Sequence, residues 1–113
     1  MIGYPWAVYR DIYPHRFSVE EAVVRLRALT DYWDAEYGTQ TEWNGSNGTI
    51  RGRVLGLSFD ARFVVEADRL HGELEVSSLA LRLGGRRYLK RKLDLYFDPE
   101  TPLEALRTRR TAA

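Results

Sequence analysis

The sequence predicts a two-layer α+β domain in which a curved antiparallel sheet of about five strands carries two helices on one face. Apolar residues recur at helical spacing near residues 18–38 and again near 86–97. Between these segments, apolar and polar residues alternate, which is typical of half-buried strands joined by short turns. The predicted order is β-α-β-β-β-β-α, because two helices with apolar stripes need one sheet face to cover them.

Composition indicates an ordinary soluble domain. The chain has 113 residues, a net charge of +1 and no cysteine, which excludes disulfide and thiolate chemistry. We expect one α+β domain at residues 1–98 and a polar C-terminal tail at residues 99–113. The sequence shows neither a signal-peptide pattern nor an apolar run of about 18 residues, so we expect a cytoplasmic protein without a transmembrane segment.

The first strand is predicted at residues 7–13, where side chains alternate between two faces. Neither face is cleanly apolar, since one of them carries Val8, Arg10 and Ile12. A strand with mixed faces fits the edge of a sheet. Pro14 ends the strand because proline has no N–H to donate to a neighbouring strand.

The first helix is predicted from Ser18 to Gly38. The Ser18 hydroxyl can accept a free backbone N–H, and Glu21, three residues later, completes a capping-box pattern. Charged residues such as Arg25 lie off the apolar stripe and are expected to face solvent. Gly38 ends the helix because glycine accepts the left-handed conformation. The apolar stripe consists of Ala22, Leu26, Leu29, Trp33 and Tyr37.

The middle of the chain predicts four strands, which we place at residues 41–44, 49–55, 57–65 and 70–76. Residues 45–48, with the sequence Gly-Ser-Asn-Gly, form the predicted turn of the first hairpin because these residues tolerate positive φ. The clearest strand lies at residues 57–65, where five apolar residues alternate with other residues. Its pairing register is well specified, since a slip of one residue would expose every apolar side chain.

A second helix is predicted from about Arg86 to Phe97, ending before Pro99, and a short third helix is predicted near residues 102–107. The second helix lies in the sharpest charge feature of the chain, a run of cations between residues 82 and 92. The run comprises Arg82, Arg86, Arg87, Lys90, Arg91 and Lys92.

This run suggests binding to an anionic surface or partner, for which Arg86, Arg87, Lys90 and Arg91 are the candidate residues. The competing interpretation is the solvated face of an amphipathic helix. No interleaved aromatic RNA-binding motif accompanies the cations, so we expect no specific nucleic-acid partner.

Catalytic and metal-binding patterns are weak. His15 and His71 have no companions at metal-ligand spacing, and we expect structural or surface roles for both and no cofactor. A hydrolase using Asp60, Glu73 or Glu75 is a minor hypothesis. A salt-bridged outer sheet face is favoured instead, in which these acids and Glu66 pair with arginines across strands. The expected arginines are Arg51, Arg53, Arg62 and Arg69.

The chain resembles the polyhydroxyalkanoic acid system protein family, also called the polyhydroxyalkanoate granule-region family, over about residues 9–97. The motifs that carry the resemblance are His15-x-Phe17-Ser18-x-Glu20-Glu21-Ala22, Tyr37-Gly38, Trp43-x-Gly45, the apolar segment Leu79–Leu83 and the closing Leu89, Leu93 and Phe97. The resemblance implies a small bacterial protein associated with storage-granule metabolism, and it carries no catalytic residues.

Two function classes remain open. The first is a non-enzymatic accessory or binding protein that acts on a granule surface or a granule-associated protein, with a homodimer as a further possibility through the polar sheet face. The second is a small domain that binds an apolar ligand in a cavity between helix and sheet. Six aromatic residues would line such a cavity, namely Trp33, Tyr37, Trp43, Phe59, Phe63 and Tyr96.

Overall fold

A computed structural model describes residues 6–54, 56–77 and 84–112. The remaining residues lie outside the described part of the chain, namely 1–5, Leu55, 78–83 with the apolar segment 79–83 and Arg82, and Ala113. The α+β class is confirmed. The elements in chain order are β1 (Trp6–Pro14), α1 (Val19–Tyr37), β2 (Gln40–Asn44), β3 (Asn47–Val54), β4 (Leu57–Glu66), β5 (Arg69–Ser77), α2 (Gly85–Tyr96) and α3 (Leu103–Ala112).

The sheet has the order β1-β5-β4-β3-β2, and every neighbouring pair is antiparallel. β1 pairs with the last strand, which places it at one edge as its mixed faces predicted. Phe63 lies opposite both Gly48 and Gly72, and Ile50 lies opposite Ala61. This register puts the apolar residues of β3, β4 and β5 on one face, the inner face, except for Val64, which lies on the outer face. The polar residues lie on the outer face, together with Val8, Arg10 and Ile12 of β1.

The ends of α1 follow the predicted signals, with one difference. The Ser18 hydroxyl accepts the Glu21 N–H at 3.2 Å. Gly38 has a φ of 71° and donates its N–H to the Asp34 carbonyl at 3.0 Å. The Glu21 carboxylate does not complete the expected capping box, because it accepts from Arg25 Nε at 3.2 Å instead.

The core lies between α1 and the inner face. The Phe63 ring covers Gly48 so closely that a Cβ at this position would overlap the ring, and Trp43 contacts Phe63 edge-on at 5.0 Å between ring centroids. Glycine at position 48 therefore makes room for an aromatic core residue. The buried apolar residues include Ala22, Leu26, Leu29, Ile50, Phe63, Val65, Leu70, Leu93, Tyr96 and Phe97.

The third helix is longer than expected and contributes to the same core. α3 packs against α1. Leu106 is only 1% exposed, and Leu103 packs against the same cluster. These two residues are three apart and therefore share one side of the helix. Part of the segment at 99–113 that we expected as a polar tail is thus folded against the domain.

Arg25 departs most clearly from the sequence prediction. It is 5% exposed, although the apolar spacing placed it on the solvent side. Its guanidinium donates to the carbonyls of Tyr96 at 3.0 Å, Asp98 at 3.2 Å and Thr101 at 2.8 Å. It also lies 4.4 Å from the centroid of the Phe17 ring. The last residue of α2 and the chain that follows it cover Arg25, and their carbonyls supply the hydrogen bonds that a buried charge requires.

Candidate functional site

The predicted cations lie on α2, whose apolar side is anchored to the body of the protein. Leu93 and Tyr96 are buried. Trp33 Nε1 donates to the Tyr88 hydroxyl at 3.1 Å, and burial raises the pKa of Tyr88 to about 12. Because its apolar side already packs on the core, α2 can meet a surface only with its polar side.

The polar side of α2 carries Arg86, Arg87, Lys90 and Arg91, which we call the basic arc. All four residues are exposed. Successive helical residues are rotated by about 100°, so the four positions span about 140° of the helix circumference. The structure therefore brings all four predicted binding residues together on one side of the helix.

Two members of the basic arc have partners within the protein. The Arg86 guanidinium lies 4.2 Å from the centroid of the Tyr9 ring. Lys90 Nζ lies 2.9 Å from Asp94 Oδ2, one helical turn away. Such exposed contacts are weak, so both cations still contribute positive charge to the arc.

Arg87 and Arg91 form no ion pair or hydrogen bond with the residues that the structure describes. They are four residues apart, which makes them neighbours on the helix surface. The helix begins after Gly84, which provides no side-chain cap, and its first turn contains no acidic residue. The partial positive charge of the helix N-terminus therefore adds to the charge of the arginine nearer this end.

The other two cations of the run do not belong to the basic arc. Lys92 Nζ lies 4.8 Å from the Tyr32 ring and 5.6 Å from the Tyr88 ring, on the inner side of α2. Arg82 lies outside the described residues. Helical rotation thus separates Lys92 from cations that are its neighbours in sequence.

Asp94 lies within the arc and ties α2 to β1. The Tyr13 hydroxyl donates to Asp94 Oδ1 at 2.5 Å. This hydrogen bond, followed by that from Lys90, lowers the pKa of Asp94. Burial, with the bond to Asp94, raises the pKa of Tyr13. Asp94 therefore reduces the charge of the arc while holding the helix in place.

Part of the expected salt-bridged outer face is observed. Glu73 accepts from Arg10 Nε at 2.7 Å, a partner on β1 that the sequence analysis did not consider. Glu66 lies 4.0 Å from Arg69 Nε, as expected, and 2.9 Å from His71 Nε2. These pairs are exposed, so each adds little to stability.

Two shallow depressions that open to solvent lie mainly on the outer face. The first, of about 570 Å³, is lined by Asp60, Glu75 and Arg51 among others. Asp60 and Glu75 lie directly opposite each other on β4 and β5. The second depression, of about 680 Å³, is lined by Arg10, Asp11, Ile12, Arg62, Phe63, Val64, His71, Gly72 and Glu73. Of the acids in the hydrolase hypothesis, two are adjacent, and Glu73 is paired with an arginine.

His15 has a structural role. It is 7% exposed. Its Nδ1 accepts the Phe17 N–H at 3.1 Å, and its Nε2 lies 2.8 Å from the Glu66 carbonyl, so Nε2 carries the proton. The ring stacks on Phe97 at 5.1 Å between centroids. These contacts join the segment before α1 to the β4–β5 turn and to the end of α2.

The aromatic residues proposed for an apolar cavity are largely part of the core. Tyr37 differs, since it is 37% exposed at the end of α1. The other five belong to the core cluster or pack against it, namely Trp33, Trp43, Phe59, Phe63 and Tyr96. A cavity ligand therefore stays a prediction that no described opening between helix and sheet supports.

The described residues were also compared with the requirements of a metal site and of a membrane-spanning helix. Within residues 6–54, 56–77 and 84–112, no group of three or more His, Cys, Asp or Glu residues is placed to hold a metal ion. None of the helices in this part of the chain is long and apolar enough to cross a membrane.

No protein-family model matches the chain, and no curated protein matches it. The resemblance at residues 9–97 stays a prediction.

Proposed function

We propose that the protein is a non-enzymatic binding protein that contacts an anionic surface through the basic arc. The observation that carries the proposal is the position of four exposed cations on one side of an anchored helix. In keeping with the sequence resemblance, the proposed surface is that of a bacterial storage granule in the cytoplasm.

The contact is electrostatic, because the apolar side of α2 packs on the core. Each lysine or arginine near an anionic lipid surface contributes about 1 kcal/mol. Arg87 and Arg91, which have no partner among the described residues, would together contribute about 2 kcal/mol, a factor of about 30 in the partition coefficient. Binding should weaken with salt, because the Debye length falls from about 10 Å at 0.1 M to about 3 Å at 1 M.

The experiment is co-sedimentation with phosphatidylglycerol vesicles and with isolated polyhydroxyalkanoate granules. We expect the double variant Arg87→Ser/Arg91→Ser to lower the partition coefficient about 30-fold. The matched control is Arg16→Ser/Arg51→Ser, which makes the same change in net charge at exposed positions outside α2. We expect this control to bind as the unchanged protein does, apart from a small effect of net charge.

Two outcomes would contradict the proposal. Equal loss of binding in both double variants would show that net charge, rather than the basic arc, governs the contact. Equal sedimentation with phosphatidylcholine vesicles, which carry no net charge, would show that the attraction is not electrostatic. Binding to vesicles but not to granules would retain the anionic contact and reject the granule as its surface.

A further inference from the structure

The outward edge of β1 is unpaired in the described part of the chain. β1 pairs with β5 along one side, and no other described strand pairs with it. It has nine residues, which is long for a strand at a sheet edge. The Ile12 N–H donates to the side chain of Asp11 at 2.8 Å, so a partner strand would have to displace this carboxylate to pair with that N–H. An unpaired edge of this length is a template for another strand.

The side chains on this edge include two exposed apolar residues beside the charges of Arg10 and Asp11. Ile12 is 56% exposed and Val8 is 50% exposed, which makes them the most exposed large hydrophobic residues that the structure describes. Natural edge strands commonly block pairing with charged side chains. The charge between these two residues, Arg10, forms an exposed ion pair at 2.7 Å with Glu73 on the neighbouring strand, so a partner strand would meet both charges together.

The sequence of β1 is complementary to itself in one register. Two antiparallel copies of a strand are related by a two-fold axis, and an axis through Arg10 places Val8 of one copy opposite Ile12 of the other. Tyr9 then lies opposite Asp11 on the inner face, where the two already share a 2.8 Å hydrogen bond within one copy. An axis through Arg10 also opposes the two Arg10 side chains, but each of them has Glu73 of its own copy beside it. An axis through Asp11 would oppose two carboxylates that form no ion pair among the described residues, and an axis through Tyr9 would oppose Val8 to Arg10.

We propose that two copies of the chain pair through β1, antiparallel about Arg10, and thereby join their sheets into one continuous sheet. The paired length is about 30 Å at about 3.4 Å per residue. This contact is smaller than the roughly 800 Å² per partner of a standard interface, so the dimer is weak and depends on concentration. The symmetry axis is perpendicular to the sheet, so both α2 helices lie on the same side.

Cysteine crosslinking tests the position of the axis, since the natural chain contains no cysteine. Residues opposite each other in an antiparallel pair have Cα atoms about 4.5 or 5.5 Å apart, within the range for a disulfide. We expect Arg10→Cys to form a disulfide-linked dimer under mild oxidation. The control is Glu42→Cys. Glu42 lies on the outer face of β2, the strand at the other edge of the sheet, and is at the same level as Arg10 because cross-strand partners connect the two residues.

Sedimentation of the cysteine-free chain, from low micromolar to near-millimolar concentration, tests the apolar contacts. We expect Ile12→Lys to raise the dissociation constant of the dimer about tenfold, because each dimer contains the changed pair twice. The control Val64→Lys should leave the constant unchanged, since Val64 is 40% exposed on the outer face but lies on the internal strand β4.

Several results would overturn this pairing. A chain that stays monomeric at near-millimolar concentration has no such dimer. Equal crosslinking of the two cysteine variants would indicate random collision. Dissociation by Val64→Lys would assign the contact to the flat outer face instead. None of these results bears on the vesicle experiment with the basic arc, so the two proposals fail separately.

Discussion

Arg25 joins α1 to the end of α2 and to the segment before α3, and its replacement by methionine tests this connection. Arg25→Met keeps a long unbranched side chain against Phe17 but removes the guanidinium. The carbonyls of Tyr96, Asp98 and Thr101 then lose the donor that lies 2.8 to 3.2 Å away. The Tyr96 bond is fully buried, so water cannot replace it without opening the structure.

The expected loss is about 3 kcal/mol in the free energy of unfolding. Leaving the buried Tyr96 carbonyl without its donor costs about 1–3 kcal/mol, and the part-buried hydrogen bonds to Asp98 and Thr101 add about 1 kcal/mol together. The ion pair with Glu21 adds little, because the Glu21 side chain is 44% exposed and is screened by solvent. Since small domains are stable by only about 5–15 kcal/mol, the variant should unfold at a much lower urea concentration.

Urea unfolding followed by tryptophan fluorescence measures this loss, with Arg27→Met as the matched control on the same helix. Arg27 is exposed and lies 5.0 Å from the Trp43 ring, so its replacement should cost only about 0.5–1 kcal/mol. Arg25→Lys should fall between the two, because an ammonium group lacks the planar fork that reaches several carbonyls. If the two methionine variants lose the same free energy, the argument for Arg25 is wrong.

Two further changes test the packing of the sheet and the attachment of α2. In urea unfolding, Gly48→Ala should destabilise the protein by about 1–3 kcal/mol, because the new methyl group overlaps the Phe63 ring. The control Gly72→Ala should change the free energy of unfolding by less than about 0.5 kcal/mol, because the space around its Cβ is open. The pKa of Asp94 is lowered first by Tyr13, so this interaction stabilises the protein above the ordinary aspartate pKa and is lost as pH falls through the lower folded value. Tyr13→Phe should therefore flatten the fall in the urea midpoint as the pH decreases below the ordinary aspartate pKa of about 3.9, and an unchanged slope would contradict this assignment.

Local signals in the sequence predicted the elements well. The helix α1 begins after Ser18 and ends at Gly38 as expected, because a cap acts on backbone groups within one helical turn. The alternation in residues 57–65 correctly assigned Phe59, Ala61, Phe63 and Val65 of β4 to the core or its margin, whereas Leu57 lies outside this cluster. The turn between β2 and β3 is tighter than predicted, since Asn47 already pairs with Asn44.

The candidate site was predicted by charge alone, and the structure refined it. The four residues of the basic arc were named from the cation run, but their common side depends on the helical rotation of α2. Arg25 was missed because its spacing from the apolar stripe suggested solvent. One signal in the sequence indicated a partner for Arg25. Glu21 lies four residues earlier and can form an ion pair with Arg25 on a helix.

By itself the sequence determined the α+β class, the helix ends and the strand alternation, because caps and periodicity act between residues a few positions apart. The tertiary structure decided that β1 pairs with β5, that Arg25 is buried and that Lys92 faces away from the basic arc. These features depend on residues distant in the chain, such as Arg25 and Tyr96, which are 71 positions apart. Such contacts form only when the layers pack, and no local pattern contains them.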